Sequence, residues 1–259
     1  MNMAITNYSR IVLDVQAPVA RLALHAPPRN IIDIPMMEEL AHALEEIESN
    51  PGIAVVVISG SINFSVGVDI AAHTPDKIQE MLAKFHGVIL NLVTSKKVTI
   101  AVVSGHCLGG GAELAMVCDL AYTSESAIWG FPEIKLACYP PVAATALAAL
   151  VGQKCAAELI LTGRTFNGRE AASMGLANRA VADAEVDGAV AQALDHLLTL
   201  STAALAVTKR AMYAWDSIHF DKGLARAEKI YLEELMKTED VEEGVHAFLE
   251  KRAPVWKGR

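Results

Sequence analysis

Val98-Thr99-Ile100-Ala101-Val102-Val103-Ser104-Gly105-His106-Cys107-Leu108-Gly109-Gly110-Gly111-Ala112-Glu113 is the stretch on which the fold turns. Its first six residues, Val98–Val103, are apolar or β-branched without alternation, as expected of a strand covered on both faces, and Ser104 follows. The run breaks into glycine and passes into a helical pattern over Ala112–Cys118. The same order occurs upstream. Ile53–Ser59 reads as a covered strand, 59–69 as a loop containing Gly60 and Gly67, and Lys77–Val93 as a helix with Ile78, Met81, Leu82, Phe85, Ile89 and Leu92 on one face. Strands alternating with helices define an α/β architecture.

Working outward, Ile11–Val15 and Val19–Leu24 are short apolar runs separated by Ala17-Pro18, the pattern of a hairpin. Met36, Met37, Leu40, Ala41, Leu44 and Ile47 share a helical face that ends at Asn50-Pro51-Gly52. After about Pro140 the strand signal fades. Val142–Val151, Lys154–Leu161, Val186–Leu200, Ala203–Trp215, Lys222–Met236 and Val241–Arg252 all read as helices. Tyr231, Leu232, Leu235 and Met236 leave a wide apolar face that needs either the core or another subunit to cover it. No low-complexity linker and no internal sequence repeat interrupts the chain.

The 259 residues, 53% hydrophobic and 20% charged, suffice for one large core. A net charge of −8 argues against non-specific nucleic-acid binding, so an anionic ligand must be held by local donors. Cys107, Cys118, Cys138 and Cys155 form no C-x-x-C pair and read as small buried residues. The start MNMAITNYSRIVLDV shows no signal-peptide pattern, and apolar runs such as Ile53–Ile58 are too short to span a membrane. A cytoplasmic location is the expectation.

Chemistry is sought in the two glycine-bearing loops, since ligands bind at the carboxyl ends of strands in such sheets. Three consecutive glycines admit either a ligand or a closely packed strand, and the two readings are about equally supported. The pattern is neither G-x-G-x-x-G nor a phosphate loop. Glu113 is either an ordinary first-turn glutamate or, among Leu114, Ala115, Met116 and Val117, a buried carboxyl suited to proton transfer. Glu133, in Ala127-Ile128-Trp129-Gly130-Phe131-Pro132-Glu133-Ile134, is a second carboxyl among apolar neighbours. Together they suggest paired acid/base work. The eight histidines form no ligand set, so no metal is expected. His106 and Cys107 read as structural lining, and Glu45, Glu46 and Glu48 as a solvated helix face. No G-x-S-x-G elbow is present.

At these residues the chain resembles the enoyl-CoA hydratase/isomerase (crotonase) superfamily. The resemblance is carried by Phe64-Ser65-Val66-Gly67-Val68-Asp69-Ile70, Gly105–Asp119, Gly130–Ile134, Leu161-Thr162-Gly163-Arg164 with Ala171–Leu176, and Phe248-Leu249-Glu250-Lys251-Arg252. It implies a crotonase-like spiral of β-β-α turns over residues 1–200 and a C-terminal helical trimerisation layer over 201–259. It implies a homotrimer or a hexamer made of two trimers, in which the late apolar face is buried. By motif, the backbone amides of Val68 and Gly110 polarise a thioester carbonyl, each donor contributing roughly 2.7–4 kcal/mol in comparable oxyanion holes. Glu113 and Glu133 correspond to the two catalytic glutamates of the hydratases. Gly67, Asp69, Ile70, Gly109, Gly111, Trp129, Phe131 and Tyr139 are the implied substrate-binding residues. Trp129 and Phe131 replace residues usual in related hydratases and are expected to narrow the acyl site. The partner implied is an acyl-CoA, with no cofactor beyond the CoA of the substrate, no nucleic acid and no membrane.

Further features are unusual for the superfamily: Asn30-Ile31-Ile32-Asp33 with Met36-Met37, His73-Thr74-Pro75-Asp76, 81–87, Ala227–Met236, and Cys138-Tyr139-Pro140-Pro141-Val142-Ala143-Ala144 in place of a glycine-rich stretch. They are similar to those of members that hydrate a cyclic dienoyl-CoA in anaerobic aromatic degradation. A hydratase of short linear enoyl-CoA is the nearest alternative. A CoA-ester isomerase, an RNA-binding or assembly protein, and a serine or cysteine hydrolase follow at a distance. Lys251 and Arg252 read equally as contacts to CoA phosphates from a neighbouring subunit and as a solvated helix end.

Overall fold

The computed structural model describes residues 8–258, apart from the side chains of 214–219 and 221. The first seven residues and the side chains of Trp215 and His219 therefore lie outside the described part. In chain order the elements are β1 (Ile11–Gln16), β2 (Val19–Leu24), α1 (Ile34–Ser49), β3 (Val55–Gly60), α2 (Ile78–Thr94), β4 (Val98–Val103), β5 (His106–Leu108), α3 (Gly110–Met116), β6 (Leu120–Ser124) and β7 (Ile128–Gly130). They continue with α4 (Pro141–Val151), α5 (Gln153–Thr162), β8 (Thr165–Asn167), α6 (Gly168–Ser173), β9 (Arg179–Val181), α7 (Val186–Leu197), α8 (Thr202–Glu233) and α9 (Glu239–Leu249).

Six strands form one sheet in the order β1-β2-β3-β4-β6-β9, parallel except for the β1–β2 hairpin. A second sheet has the order β5-β7-β8. The chain therefore winds repeatedly through a strand of the first sheet, a strand or bridge of the second layer, and a helical segment. β3 is followed by the Ser65–Cys107 bridge and α2, β4 by β5 and α3, and β6 by β7 and α4. This is the expected α/β spiral.

Burial explains the unalternating strands. On β3, Val56 and Ile58 face the main core, whereas Val55 and Val57 join Val98, Ile100, Val190 and Leu194 in a second cluster under α7. α1 starts where Asp33 accepts a hydrogen bond from the Met36 amide at 2.9 Å, which satisfies one free helix-end donor. Glu46 and Glu48 are less solvated than expected: the Tyr8 hydroxyl donates to Glu46, and Ser95 and Lys96 donate to Glu48.

Two features after Pro140 differ from the sequence reading. β8 and β9 are strands of three residues each, and β9 extends the main sheet. Three residues are too few to display a period of two. The helices read as Ala203–Trp215 and Lys222–Met236 are one continuous helix, α8. Its interior Gly223 costs only about 1 kcal/mol of helix propensity, which tertiary anchoring offsets. Lys209 pairs with Asp119 at 2.7 Å in a nearly dry setting and also donates to the Lys97 carbonyl at 2.9 Å. His86 of α2 meets Glu228 at 2.7 Å. The late apolar face is taken up within the chain, with Tyr231 fully buried and Leu232, Leu235 and Met236 packed on the main core. Among the described residues, no single helix is long and apolar enough to cross a membrane.

Candidate active site

A cavity of about 550 Å³ opens where the two glycine-bearing loops meet the Pro132–Leu136 turn, the start of α4 and the end of the chain. Val68 pairs in parallel with Ile32, and that pairing uses the Gly67 carbonyl and the Asp69 amide. The Val68 N–H, between them, points to the other side of its strand, as alternation requires. There it meets the start of α3. A Cβ built on Gly110 would lie 3.5 Å from the Val68 nitrogen and 2.6 Å from its Cγ2, so only glycine permits this approach. The Gly110 amide, in the first helical turn, has no intrahelical acceptor. Among the described residues neither amide meets an acceptor outside its own element, and both residues line the cavity.

Glu113 follows in the same turn, 2% exposed. Its Oε1 accepts from the Ala143 amide at 2.9 Å, at the start of α4. Burial pushes its carboxyl up to about 7, and the Ala143 and Val142 amides hold it back from going further. Glu133 comes from the Pro132–Leu136 turn. Its Oε2 is shut from solvent and has no hydrogen-bond partner among the described residues. Burial and then the neighbouring Glu113 charge raise it well above the carboxylate range. Gly109 makes room for it. With φ +51°, ψ −127°, that residue has a backbone open only to glycine, and an added Cβ would meet Glu133 Oε1 at 2.6 Å. The arrangement therefore brings together two carboxyls, both raised by burial, and the amides of Val68 and Gly110.

Of the residues singled out in sequence, Gly67, Val68, Asp69, Ile70, Gly109, Gly110, Glu113, Glu133 and Tyr139 line this cavity. Asp69 also caps the short turn Ile70–Ala72 through its Oδ1. Three others do not line it. Gly111 faces Ser65, 2.7 Å from where its Cβ would stand. Trp129 is wholly buried with its indole N–H donated to Thr123 Oγ1 at 3.0 Å, and Phe131 is wholly buried in the core. β7 alternates its faces, and Trp129 is turned inward against Phe166, its partner on β8. Neither aromatic, expected from the sequence to narrow the acyl site, lines the cavity.

His106 is held by Asn63, to which both its amide and its Nδ1 donate, and burial pushes the Cys107 thiol well up, so both are structural. Arg252 reaches the cavity of its own chain, paired with Glu243 and Glu250, each at 2.6 Å. Tyr231 and His73 also line the cavity, and no sequence motif around them signals it. Tyr231 belongs to an apolar helical face, and only the path of α8 brings it there. Among the described residues no group of three or more His, Cys, Asp and Glu side chains is placed to hold a metal.

Residues 14–259 match the model of the enoyl-CoA hydratase/isomerase family, and the chain belongs to that family. Among its relatives is the cyclohexa-1,5-dienecarbonyl-CoA hydratase of Thauera aromatica, 33% identical over 96% of this chain and 97% of that protein. A probable enoyl-CoA hydratase of Bacillus subtilis is 34% identical over 96% and 98%. The crystal structure of an enoyl-CoA hydratase from Mycobacterium avium subsp. paratuberculosis superposes with a TM-score of 0.88, at 26% identity, covering 97% of this chain and 100% of that one.

Proposed function

We propose that the protein is an acyl-CoA hydratase, a hydro-lyase whose substrate is cyclohexa-1,5-diene-1-carbonyl-CoA in anaerobic aromatic degradation. The observation that carries the hydratase reading is one cavity lined by a buried Glu113, a half-buried Glu133 whose Oε2 is shut from solvent, and the Val68 and Gly110 backbone. The Val68 and Gly110 amides receive the thioester oxygen. Glu113, whose carboxyl the Ala143 and Val142 amides hold back from a further rise, takes a proton from water as the oxygen bonds to the carbon β to the carbonyl. The electron pair moves into a dienolate held by the two amides. Glu133 then gives its proton to the far end of the dienolate, completing a 1,4-addition to 6-hydroxycyclohex-1-ene-1-carbonyl-CoA. The glutamates are regenerated by passing the proton from Glu113 back to Glu133 through solvent. No cofactor is required.

The cyclic substrate is supported by the Thauera aromatica relative and by the cavity lining, in which Cys138, Tyr139, Pro140 and Pro141 join Phe85 and Tyr231 as a largely apolar set. We assign residues 1–200 to the catalytic spiral and 201–259 to assembly as a homotrimer or dimer of trimers. Val207 and Met212, exposed on α8, support that assignment. Four free cysteines fit a reducing cytoplasm. The test is water addition to cyclohexa-1,5-diene-1-carbonyl-CoA against crotonyl-CoA. A higher kcat/KM for the diene upholds the reading. Preference for crotonyl-CoA keeps the hydratase and discards the ring.

A further inference from the structure

Three stretches that stand apart in the sequence, 81–87, 138–144 and 227–236, are joined in the fold by direct contacts. His86 Nδ1 meets Glu228 Oε2 at 2.7 Å, the Tyr139 hydroxyl donates to the Ala227 carbonyl at 2.6 Å, and the Tyr139 and Tyr231 rings lie with centroids 5.1 Å apart. The same stretches line the cavity, through Met81, Leu82 and Phe85 of α2, Tyr139 just before α4, and Tyr231 of α8. A carboxylate oxygen only accepts, so His86 Nδ1 carries the proton. The His86 side chain is 5% exposed, and its Nε2, closed to solvent, has no partner among the described residues. Glu228 is therefore the polar tether of this ring. Burial lowers the ring from its ordinary value against the pull of Glu228, which leaves it neutral at pH 7.

Neither His86 nor Glu228 lines the cavity, yet each stands one helical turn from a side chain that does. Leu82 precedes His86 by four residues on α2, and Tyr231 follows Glu228 by three on α8. Residues three and four apart share a helix face. The contact thus ties two walls of the cavity together from behind, in an interior too closely packed for one wall to shift alone. We infer that His86 and Glu228 are a positioning pair, which sets the spacing of the α2 and α8 walls and so selects the acyl group that fits between them. The pair touches no substrate and moves no proton. The inference rests on the acyl-CoA reading above, and not on a particular acyl group.

The test compares Kd for cyclohexanecarbonyl-CoA and butyryl-CoA, one bulky and one slender. Both are saturated, so the result does not depend on hydration. Glu228→Ala removes the tether at a side chain that is one-third exposed, and it should change the ratio of the two Kd values by about 10-fold or more. Glu228→Gln still offers an oxygen to the neutral ring and should keep the wild-type ratio within about twofold. Lys209→Met breaks the other anchor of α8, the pair with Asp119, away from this cavity. It should lower the melting temperature and leave the ratio within about twofold of the wild type. An unchanged ratio in Glu228→Ala overturns the pair. So does a Lys209→Met ratio that moves as far as that of Glu228→Ala, because the effect then belongs to a loosened α8. Failure to hydrate the diene and crotonyl thioesters, with these binding ratios as expected, counts against the hydratase reading alone.

Discussion

The α3–α4 junction and the Pro132–Leu136 turn each place one carboxyl in the same cavity, and they treat it differently. At the junction, Glu113 is buried but accepts from the first amides of α4. On the turn, Glu133 is buried at Oε2 and receives no such donor, while it feels the charge of Glu113. Desolvation raises both; the Ala143 and Val142 amides then hold Glu113 back, while the Glu113 charge pushes Glu133 further up and only its own amide opposes that. Two identical side chains thus stand in different surroundings within one cavity.

Removing the titration breaks this contrast most sharply. Glu113→Gln and Glu133→Gln should each lower kcat by roughly 10²–10⁴-fold, as expected for acid/base groups. Their stabilities should diverge. The amide that Glu113→Gln introduces still offers an oxygen to the Ala143 N–H. Glu133→Gln instead removes a carboxyl whose Oε2 no donor supports, and that variant should unfold at an equal or higher temperature than the wild type. A Glu133→Gln protein less stable than Glu113→Gln would refute the contrast.

Gly109→Ala attacks only one side of it. The new Cβ would press on Glu133 Oε1, and the backbone there suits glycine. We expect a loss of about 1–3 kcal/mol in denaturant unfolding and at least ~10-fold in kcat. Unchanged turnover would mean that Glu133 need not occupy this place.

pH sharpens the comparison. Both glutamates have an ordinary value of 4.5, and in the fold both are raised, Glu113 to about 7. Between 4.5 and about 7 the unfolded chain binds fewer protons than the native one at Glu113, so this group makes stability fall as pH rises. Glu133 extends the fall upward. The melting temperature of Glu113→Gln should decline less over about pH 5–8 than that of the wild type. An identical slope would show that Glu113 is not held in a dry setting.

The smallest effect on chemistry is expected at Trp129→Phe. It removes the hydrogen bond to Thr123 and should cost about 1–3 kcal/mol of stability, with the ratio of activities on the two thioesters unmoved. A changed ratio would return Trp129 to the acyl site, where the sequence reading puts it.

The contrast also separates what can be read from the chain in one dimension. Covered strands at 53–59 and 98–104, the helix at 77–93 and the glycine-to-Glu113 junction are local patterns: burial on both faces and helix periodicity are written in consecutive residues. Glu133 is legible as a carboxyl among apolar residues, yet the missing donor at its Oε2 is not, because that depends on which amides α4 offers and to whom. Trp129 and Phe131 are misplaced by the sequence because neighbours of Glu133 along the chain need not share its side of the backbone. β8 and β9 escape it because three residues carry no period.

By itself the sequence determined the α/β alternation, the two carboxyls and the glycines that admit them, since propensity, patterning and backbone freedom belong to each segment. Only the tertiary structure decided that Ala143 supports Glu113, that Glu133 Oε2 stands without a donor among the described residues, and that Tyr231 lines the same cavity from nearly a hundred positions away. Those are pairings between distant segments, and they exist only once burial in a common core has fixed the segments against one another.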